Sequence, residues 1–300
     1  MKENLISVND LTRGDIESFL SKASEVEELS EGEASDILPG YMLSTIFLEP
    51  STRTRLSFET AMQRLGGGTI NLAEEVSSIE KGENITDTGK VVASYTDICV
   101  VRSPYEGTAR MLAEKTNIPV VNGGDGSNQH PTQTLLDLYT IKKEFGGIDG
   151  LKVGMLGDLK YGRTVHSLAE ALDHYDVEIR LISPEETKMP RDIVEDVGIQ
   201  EETTEMKIED LDVLYATRIQ KERFPDKQEY ESVKDAFILD EDRVKGMNEE
   251  SIVMHPLPRV GEIKPGVDEL PQARYFEQAQ NGVPTRMGII LELLGVDIDA

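Results

Sequence analysis

Met42-Leu43-Ser44-Thr45-Ile46-Phe47-Leu48-Glu49-Pro50-Ser51-Thr52-Arg53-Thr54-Arg55 is the stretch on which the fold turns. The run from Met42 to Leu48 follows Pro39-Gly40 and reads as a buried strand. A short polar segment leads from it into a helix marked by Phe58, Met62 and Leu65, which Gly66-Gly67-Gly68 stops. The strand, polar turn and helix then recur. Strand candidates fall at 98–102, 119–122, 151–156, 177–182, 213–217 and 251–255, with helices at 132–145, 164–174 and 284–294. A first helix is signalled by Thr12 as N-cap, Asp15 three residues on, and Ile16, Phe19, Leu20, Ala23, Val26 and Leu29 at helical spacing. Strands alternating with helices predict α/β architecture, with mostly parallel sheets flanked by helices. A chain of 300 residues exceeds what one core usually serves, so two such domains of roughly 150 residues each are expected. Gly146 to Gly150 marks the approach to the second sheet.

Charge narrows the functional classes. The chain has 57 acidic against 31 basic residues, a net charge of −26, and such a surface repels nucleic acid. Adaptation to a salty cytoplasm and an ordinary solvated acidic face both account for it. A hydrophobic fraction of 38% excludes a disordered chain, and no apolar stretch approaches the roughly 18 residues of a membrane span. Met1 to Asn9 carries one lysine and no apolar core, unlike a secretory signal, so the cytoplasm is the expected compartment. The single cysteine, Cys99, lies in the apolar run Ile98 to Val101, which makes it a small buried hydrophobe rather than a catalytic thiol.

In open α/β sheets ligands bind beyond the carboxyl ends of the strands, so residues just after each strand are the candidates for chemistry. Ser51-Thr52-Arg53-Thr54-Arg55 joins hydroxyls, a guanidinium and the N–H groups of a helix start, which makes an anion site. A capped helix with two exposed arginines would look the same locally. Arg102 ends the strand from Ile98, and His130 lies in the glycine-rich turn Gly123 to Gln133. Arg163 closes Gly157-Asp158-Leu159-Lys160-Tyr161-Gly162-Arg163, whose glycines do not match a dinucleotide fingerprint. Arg218 and Gln220 follow the strand ending at Thr217, and His255-Pro256-Leu257-Pro258-Arg259 follows the one ending near Met254. The remaining histidines, His166 and His174, sit eight apart in a predicted helix without zinc spacing, and neither a metal nor a cofactor is expected. Cations therefore gather at several strand ends of an otherwise acidic chain, and guanidinium suits two-point contact with carboxylate and phosphate.

Ser-Thr-Arg-Thr-Arg, His-Pro-Thr-Gln-Thr-Leu-Leu-Asp, Gly-Arg-Thr-Val-His-Ser-Leu and His-Pro-Leu-Pro-Arg occur in this order. With them the chain resembles the aspartate/ornithine carbamoyltransferases over nearly its full length. His255 to Arg259 and Arg218-Ile219-Gln220 point to aspartate; the His-Cys-Leu-Pro and Ser-Met-Gly motifs usual in ornithine-specific relatives are absent. The resemblance implies carbamoyl transfer from carbamoyl phosphate to L-aspartate, an early step of pyrimidine biosynthesis. It implies that Ser51, Thr52, Arg53 and Thr54 hold the phosphate, that Arg102 reaches phosphate and carbonyl oxygens, and that His130 polarises the carbonyl. Gln133 and the backbone carbonyls of Pro256 and Leu257 would hold the carbamoyl NH₂, and Leu257 would also face aspartate. Arg163, Arg218 and Gln220 would take the aspartate carboxylates. Ser77 and Lys81 resemble a loop that enters the neighbouring subunit's site and touches both substrates; where some relatives have a second lysine, this chain has Glu80. The domains implied are 1–130 completed by a C-terminal helix at 284–300, and 131–283. A homotrimer with shared sites is implied as well, since such chains form trimers, some of them assembled with zinc-containing regulatory chains.

Overall fold

The computed structural model describes residues 3–73, 84–219, 231 and 236–298. Its described helices are α1 (Arg13–Glu27), α2 (Glu31–Ser35), α3 (Thr52–Arg64), α4 (Ile85–Ala93), α5 (Thr108–Ala113), α6 (Pro131–Phe145), α7 (Arg163–Leu172), α8 (Arg191–Val197), α9 (Glu241–Lys245) and α10 (Tyr275–Leu294). Two compact units emerge, Met1–Tyr139 with Asn281–Ala300, and Thr140–Gln280. The changes of unit fall inside α6 and inside α10, whereas the sequence expectation puts them at 130/131 and 283/284. Early α6 shares the first unit with the C-terminal segment, where the Leu136 side chain of α6 lies against Gly282 of α10.

The first unit holds β1 (Met42–Phe47), β2 (Gly68–Ala73), β3 (Ile98–Ser103) and β4 (Val120–Asp125), all parallel in the order β2-β1-β3-β4. The second holds β5 (Lys152–Leu156), β6 (Glu178–Ile182), β7 (Glu201–Thr203), β8 (Val213–Ala216) and β9 (Ile252–Met254), also parallel, in the order β7-β6-β5-β8-β9. In each sheet the order reverses once, between β1 and β3 and between β5 and β8. Such a reversal sends the flanking connections to opposite faces and leaves a crevice beyond the strands' carboxyl ends. In both units, the loops at this crevice carry the residues singled out from the sequence.

The apolar runs make the strands. Ile46, Cys99, Val101 and Val120 share a buried cluster in the first unit; Leu156, Ile182, Leu214 and Val253 share one in the second. Burial pushes the Cys99 thiol up to about 12, so it packs as a hydrophobe. Helix α1 opens on the expected capping box, with Thr12 accepting from Asp15 N and Asp15 accepting from Thr12 N. Helix α3 packs on β1 and β2, with Phe58 and Met62 wholly buried, and stops where Gly66 takes φ +86°.

Three expectations change. Strand β2 was not anticipated because Gly68-Thr69-Ile70-Asn71 lacks an apolar run, and β7 is three polar residues at a sheet edge. The last helix begins at Tyr275, nine residues before Pro284. Pro284 removes one backbone donor, yet Thr285 Oγ1 donates to Asn281 O at 2.7 Å and Arg286 Nη1 to Gly282 O at 2.8 Å, holding the adjacent turn. Among the described residues, no helix is long and apolar enough to cross a membrane.

Candidate active site

Helix α3 starts at the crevice of the first unit. Its N-cap, Ser51, is extended (φ −156°, ψ 93°) and makes no side-chain cap bond, and the first turn carries no acidic residue. The opening N–H groups thus lack the usual side-chain acceptor, and the positive end of the helix dipole is uncompensated locally. Thr54 is buried in this turn. Arg53 is exposed, and desolvation by the protein around it lowers its pKa. No carboxylate among the described residues forms an ion pair with it.

Arg102 stands beside Phe47 across the β1–β3 ladder. Its guanidinium meets Glu49 Oε1 at 2.7 Å, donates to Gly123 O at 3.0 Å and reaches His130 Nε2 at 3.3 Å. A guanidinium only donates, so Nε2 of His130 is the acceptor and the neutral ring carries its proton on Nδ1, 3.4 Å from Thr132 Oγ1.

The turn that delivers His130 is organised by Asp125, only 2% exposed. Its Oδ1 accepts from Asn122 Nδ2 (2.9 Å) and Gln129 N (3.0 Å), and its Oδ2 from Gly107 N (2.9 Å) and Asn128 Nδ2 (3.2 Å). Gly126 takes φ +55°, where a Cβ would lie 2.8 Å from the Pro104 carbonyl. One helical turn past His130, Gln133 Nε2 donates to Asp137 Oδ1 at 2.8 Å, which leaves the Gln133 amide oxygen as the acceptor. Buried Arg286 faces Asp137; burial pulls the arginine down to about 10, and the Asp137 charge opposes that. Its guanidinium also stacks over Phe58 at 5.1 Å.

In the second unit the loops after β5 and β8 are tied to each other. Thr217 Oγ1 donates to Leu156 O and accepts from Asp158 N, both at 3.1 Å. Gly157, at φ +114°, permits this approach, since a Cβ there would stand 2.3 Å from Thr217 O. Asp158, fully buried, also accepts from Tyr161 N at 3.0 Å. His166 reaches back from α7 to Leu159 O at 2.7 Å, and desolvation lowers its pKa. This histidine holds the loop. Arg163 therefore begins α7, whose N-cap Gly162 makes no side-chain bond, and Arg218 directly follows Thr217, across the same crevice.

Strand β9 lies beside β8, so the segment after it joins this edge. His255 is 2% exposed; its Nδ1 accepts from Leu257 N at 2.8 Å and its Nε2 meets Glu262 Oε1 at 2.7 Å. Glu262 Oε2 also accepts from Val260 N (3.0 Å) and Gly261 N (2.9 Å). Burial raises the Glu262 carboxyl, but these hydrogen bonds outweigh it and bring the group down to about 2. Leu257 sits at φ +55°. Arg259, the last residue of its motif, is engaged by Asp268 through both terminal nitrogens and lies over Tyr275.

In the first unit Ser51, Thr52, Arg53, Thr54, Arg102, His130 and Gln133 follow the carboxyl ends of β1, β3 and β4; in the second, Arg163 and Arg218 follow β5 and β8 at the crevice, and Pro256 and Leu257 follow the end strand β9. Ser77, Lys81 and Gln220 lie outside the described residues. Sequence reading missed Glu49, Asp125, Asp137, Asp158 and Glu262, the carboxylates that hold the basic and amide groups.

Residues 3–143 match the carbamoyl-P binding domain of aspartate/ornithine carbamoyltransferase, and residues 149–293 match its Asp/Orn binding domain. The chain belongs to the aspartate/ornithine carbamoyltransferase family. Within that family it is 54% identical to the aspartate carbamoyltransferase catalytic subunit of Archaeoglobus fulgidus, over 98% of this chain and 100% of that one. It is 55% identical to the same subunit of Thermococcus onnurineus, over 98% and 97%. The catalytic subunit of M. jannaschii aspartate transcarbamoylase superposes with a TM-score of 0.92 at 50% identity, covering 98% of each chain. The Trypanosoma cruzi enzyme in complex with carbamoyl phosphate and aspartate superposes at 0.89 with 36% identity, covering 96% of each. The carbamoyl-P binding region of the family contains Ser51 to Thr54, Arg102, His130 and Gln133 of this chain; the Asp/Orn binding region contains Arg163, Arg218, Pro256 and Leu257.

Proposed function

We propose that this chain transfers the carbamoyl group of carbamoyl phosphate to the amine of L-aspartate, giving N-carbamoyl-L-aspartate and phosphate, an early step of pyrimidine biosynthesis. The observation that carries the reading is the uncapped start of α3 at the β1/β3 crevice, beside Arg102 and His130. The phosphate takes the first-turn N–H groups of α3 with Ser51, Thr52, Arg53 and Thr54, where donors and dipole favour a dianion. Arg102 exchanges the Glu49 carboxylate for phosphate and carbonyl oxygens, so its own charge stays paired. His130, whose Nε2 lies on the Arg102 side, polarises the carbonyl oxygen from there once Arg102 turns to the substrate. Gln133, its NH₂ engaged by Asp137, presents its oxygen to the carbamoyl NH₂, as do the carbonyls of Pro256 and Leu257. Arg163, Arg218 and Gln220 take the aspartate carboxylates.

The neutral amine attacks the carbamoyl carbon, a tetrahedral intermediate forms, and the C–O bond to phosphate breaks as the nitrogen passes its proton to the departing phosphate. Arg53, Thr54, Arg102 and His130 stabilise the charge developing on the carbonyl oxygen and the phosphate, and a single donor of this kind is worth about 10² to 10³ in rate. Holding two anions in register removes much of the entropy of their encounter. The test is product formation from carbamoyl phosphate with a panel of amines: carbamoyl aspartate is expected, and transfer to ornithine instead, or to no acceptor, refutes the reading.

The chain further acts as a homotrimer in which Ser77 and Lys81 complete a neighbour's site, and a separate regulatory chain is a candidate partner; the resemblance of the Ser77–Lys81 segment supports this. Lys81→Gln and Arg53→Ala variants, nearly inactive alone, should regain roughly a quarter of the wild-type sites after random reassembly in a closed ring. Hybrid trimers without activity rule out shared sites. The charge of −26 further supports adaptation to high salt.

A further inference from the structure

We infer that His255 and Glu262 are positioning residues that hold the Pro256 and Leu257 carbonyls in line for transfer, an inference that rests on the function proposed above. Leu257 has a β-carbon and yet sits at φ +55°, a left-handed conformation that persists only when its surroundings impose it. The surroundings here are one hydrogen-bonded chain. The Leu257 N–H donates to His255 Nδ1, so this nitrogen keeps its lone pair and the ring proton resides on Nε2, which donates to Glu262. The second oxygen of Glu262 holds the N–H groups of Val260 and Gly261, and the His255 N–H is fixed by Gln278 Oε1 at 2.8 Å. One partly buried carboxylate thus closes the loop 255–262 at both ends, through a buried histidine. The geometry requires Nδ1 as acceptor; the Nε2 bond fixes the ring that supplies it.

The two ring nitrogens can be separated by substitution. An asparagine oxygen occupies the place of Nδ1 and can accept from Leu257, whereas a glutamine amide reaches the place of Nε2 and restores only the bond to Glu262. Loss of loop alignment misplaces the carbamoyl group by a fraction of an ångström to 1 Å, so kcat should fall about 10- to 100-fold in His255→Ala and His255→Gln. His255→Asn should recover most of that loss. KM for carbamoyl phosphate should move less than about threefold in all of them, because the phosphate contacts lie elsewhere. Glu262→Gln, which can keep either the His255 bond or the turn's N–H groups, should fall between. Thermal unfolding of each variant separates folding from alignment; if His255→Ala does not fold, the Asn and Gln pair decides alone. Equal kcat in the Asn and Gln variants, whether high or low, overturns the inference. A wild-type chain that makes no carbamoyl aspartate would instead sink the functional reading.

Discussion

Replacing Asp125 with alanine should both soften the first unit and displace His130. The carboxylate accepts four hydrogen bonds. Gly107 and Asn128 are exposed, so their donors regain water after truncation. Gln129 N and one hydrogen of Asn122 Nδ2 are buried, and each stranded donor costs about 1 to 3 kcal/mol, somewhat more where the lost acceptor was charged. The sum is roughly 3 to 5 kcal/mol, which for a unit of this size lowers Tm by about 6 to 20 °C. Asp125→Asn retains an oxygen for the two buried donors and turns its amide toward the two exposed ones, so it should recover more than half of the loss. Scanning calorimetry of the three proteins, with kcat measured well below the lowest Tm, gives both readouts. An alanine variant that melts within 1 °C or so of wild type would show that the buried carboxylate does not organise this turn.

Gly157→Ala should destabilise the second unit by about 2 kcal/mol or more, since φ +114° is glycine territory and the new methyl would lie 2.3 Å from Thr217 O; unchanged urea unfolding with unchanged aspartate kinetics would contradict this. Arg218→Ala should raise the aspartate KM by roughly two to three and a half orders of magnitude, the cost of about 3 to 5 kcal/mol for an unpaired carboxylate in a desolvated site, with carbamoyl phosphate binding nearly intact; near-normal aspartate kinetics would remove Arg218 from the site. With a net charge of −26, thermal stability should rise from dilute buffer to molar salt as like charges are screened, and a Tm indifferent to salt would count against salt adaptation.

Most strands were readable because parallel strands are covered on both faces and appear as unbroken apolar runs; Val120–Asp125 and Val213–Ala216 are buried at every position. The end strands β2 and β7 escape this logic because they are partly exposed, whereas the end strands β4 and β9 keep their buried apolar residues. The cationic half of the site was equally readable, because an arginine after a strand is conspicuous in so acidic a chain. Its carboxylate half was not. Among 57 acidic residues nothing local distinguishes Asp125 or Glu262 from a solvated neighbour, and their roles depend on N–H groups brought to them by tertiary structure. Pro284 misled for a related reason: its missing donor is visible in sequence, while the bonds of Thr285 and Arg286 that carry the helix past it are not.

Both units meet the same difficulty in the same way. A loop at a sheet's reversal point must present cations and carbonyls to an anionic substrate, yet its own N–H groups need acceptors. Water would satisfy them without fixing geometry. Asp125 in the first unit and Asp158 and Glu262 in the second supply carboxylate acceptors instead, each binding at least one backbone N–H within or beside its own turn. Fixed backbone dipoles of this kind take a share in neutralising each carboxylate. This accounts for how a strongly acidic chain can place acids next to an anion site. Their charge is committed to the scaffold, and the helix start at Ser51 and the guanidinium of Arg53 face a local field that the net charge does not describe.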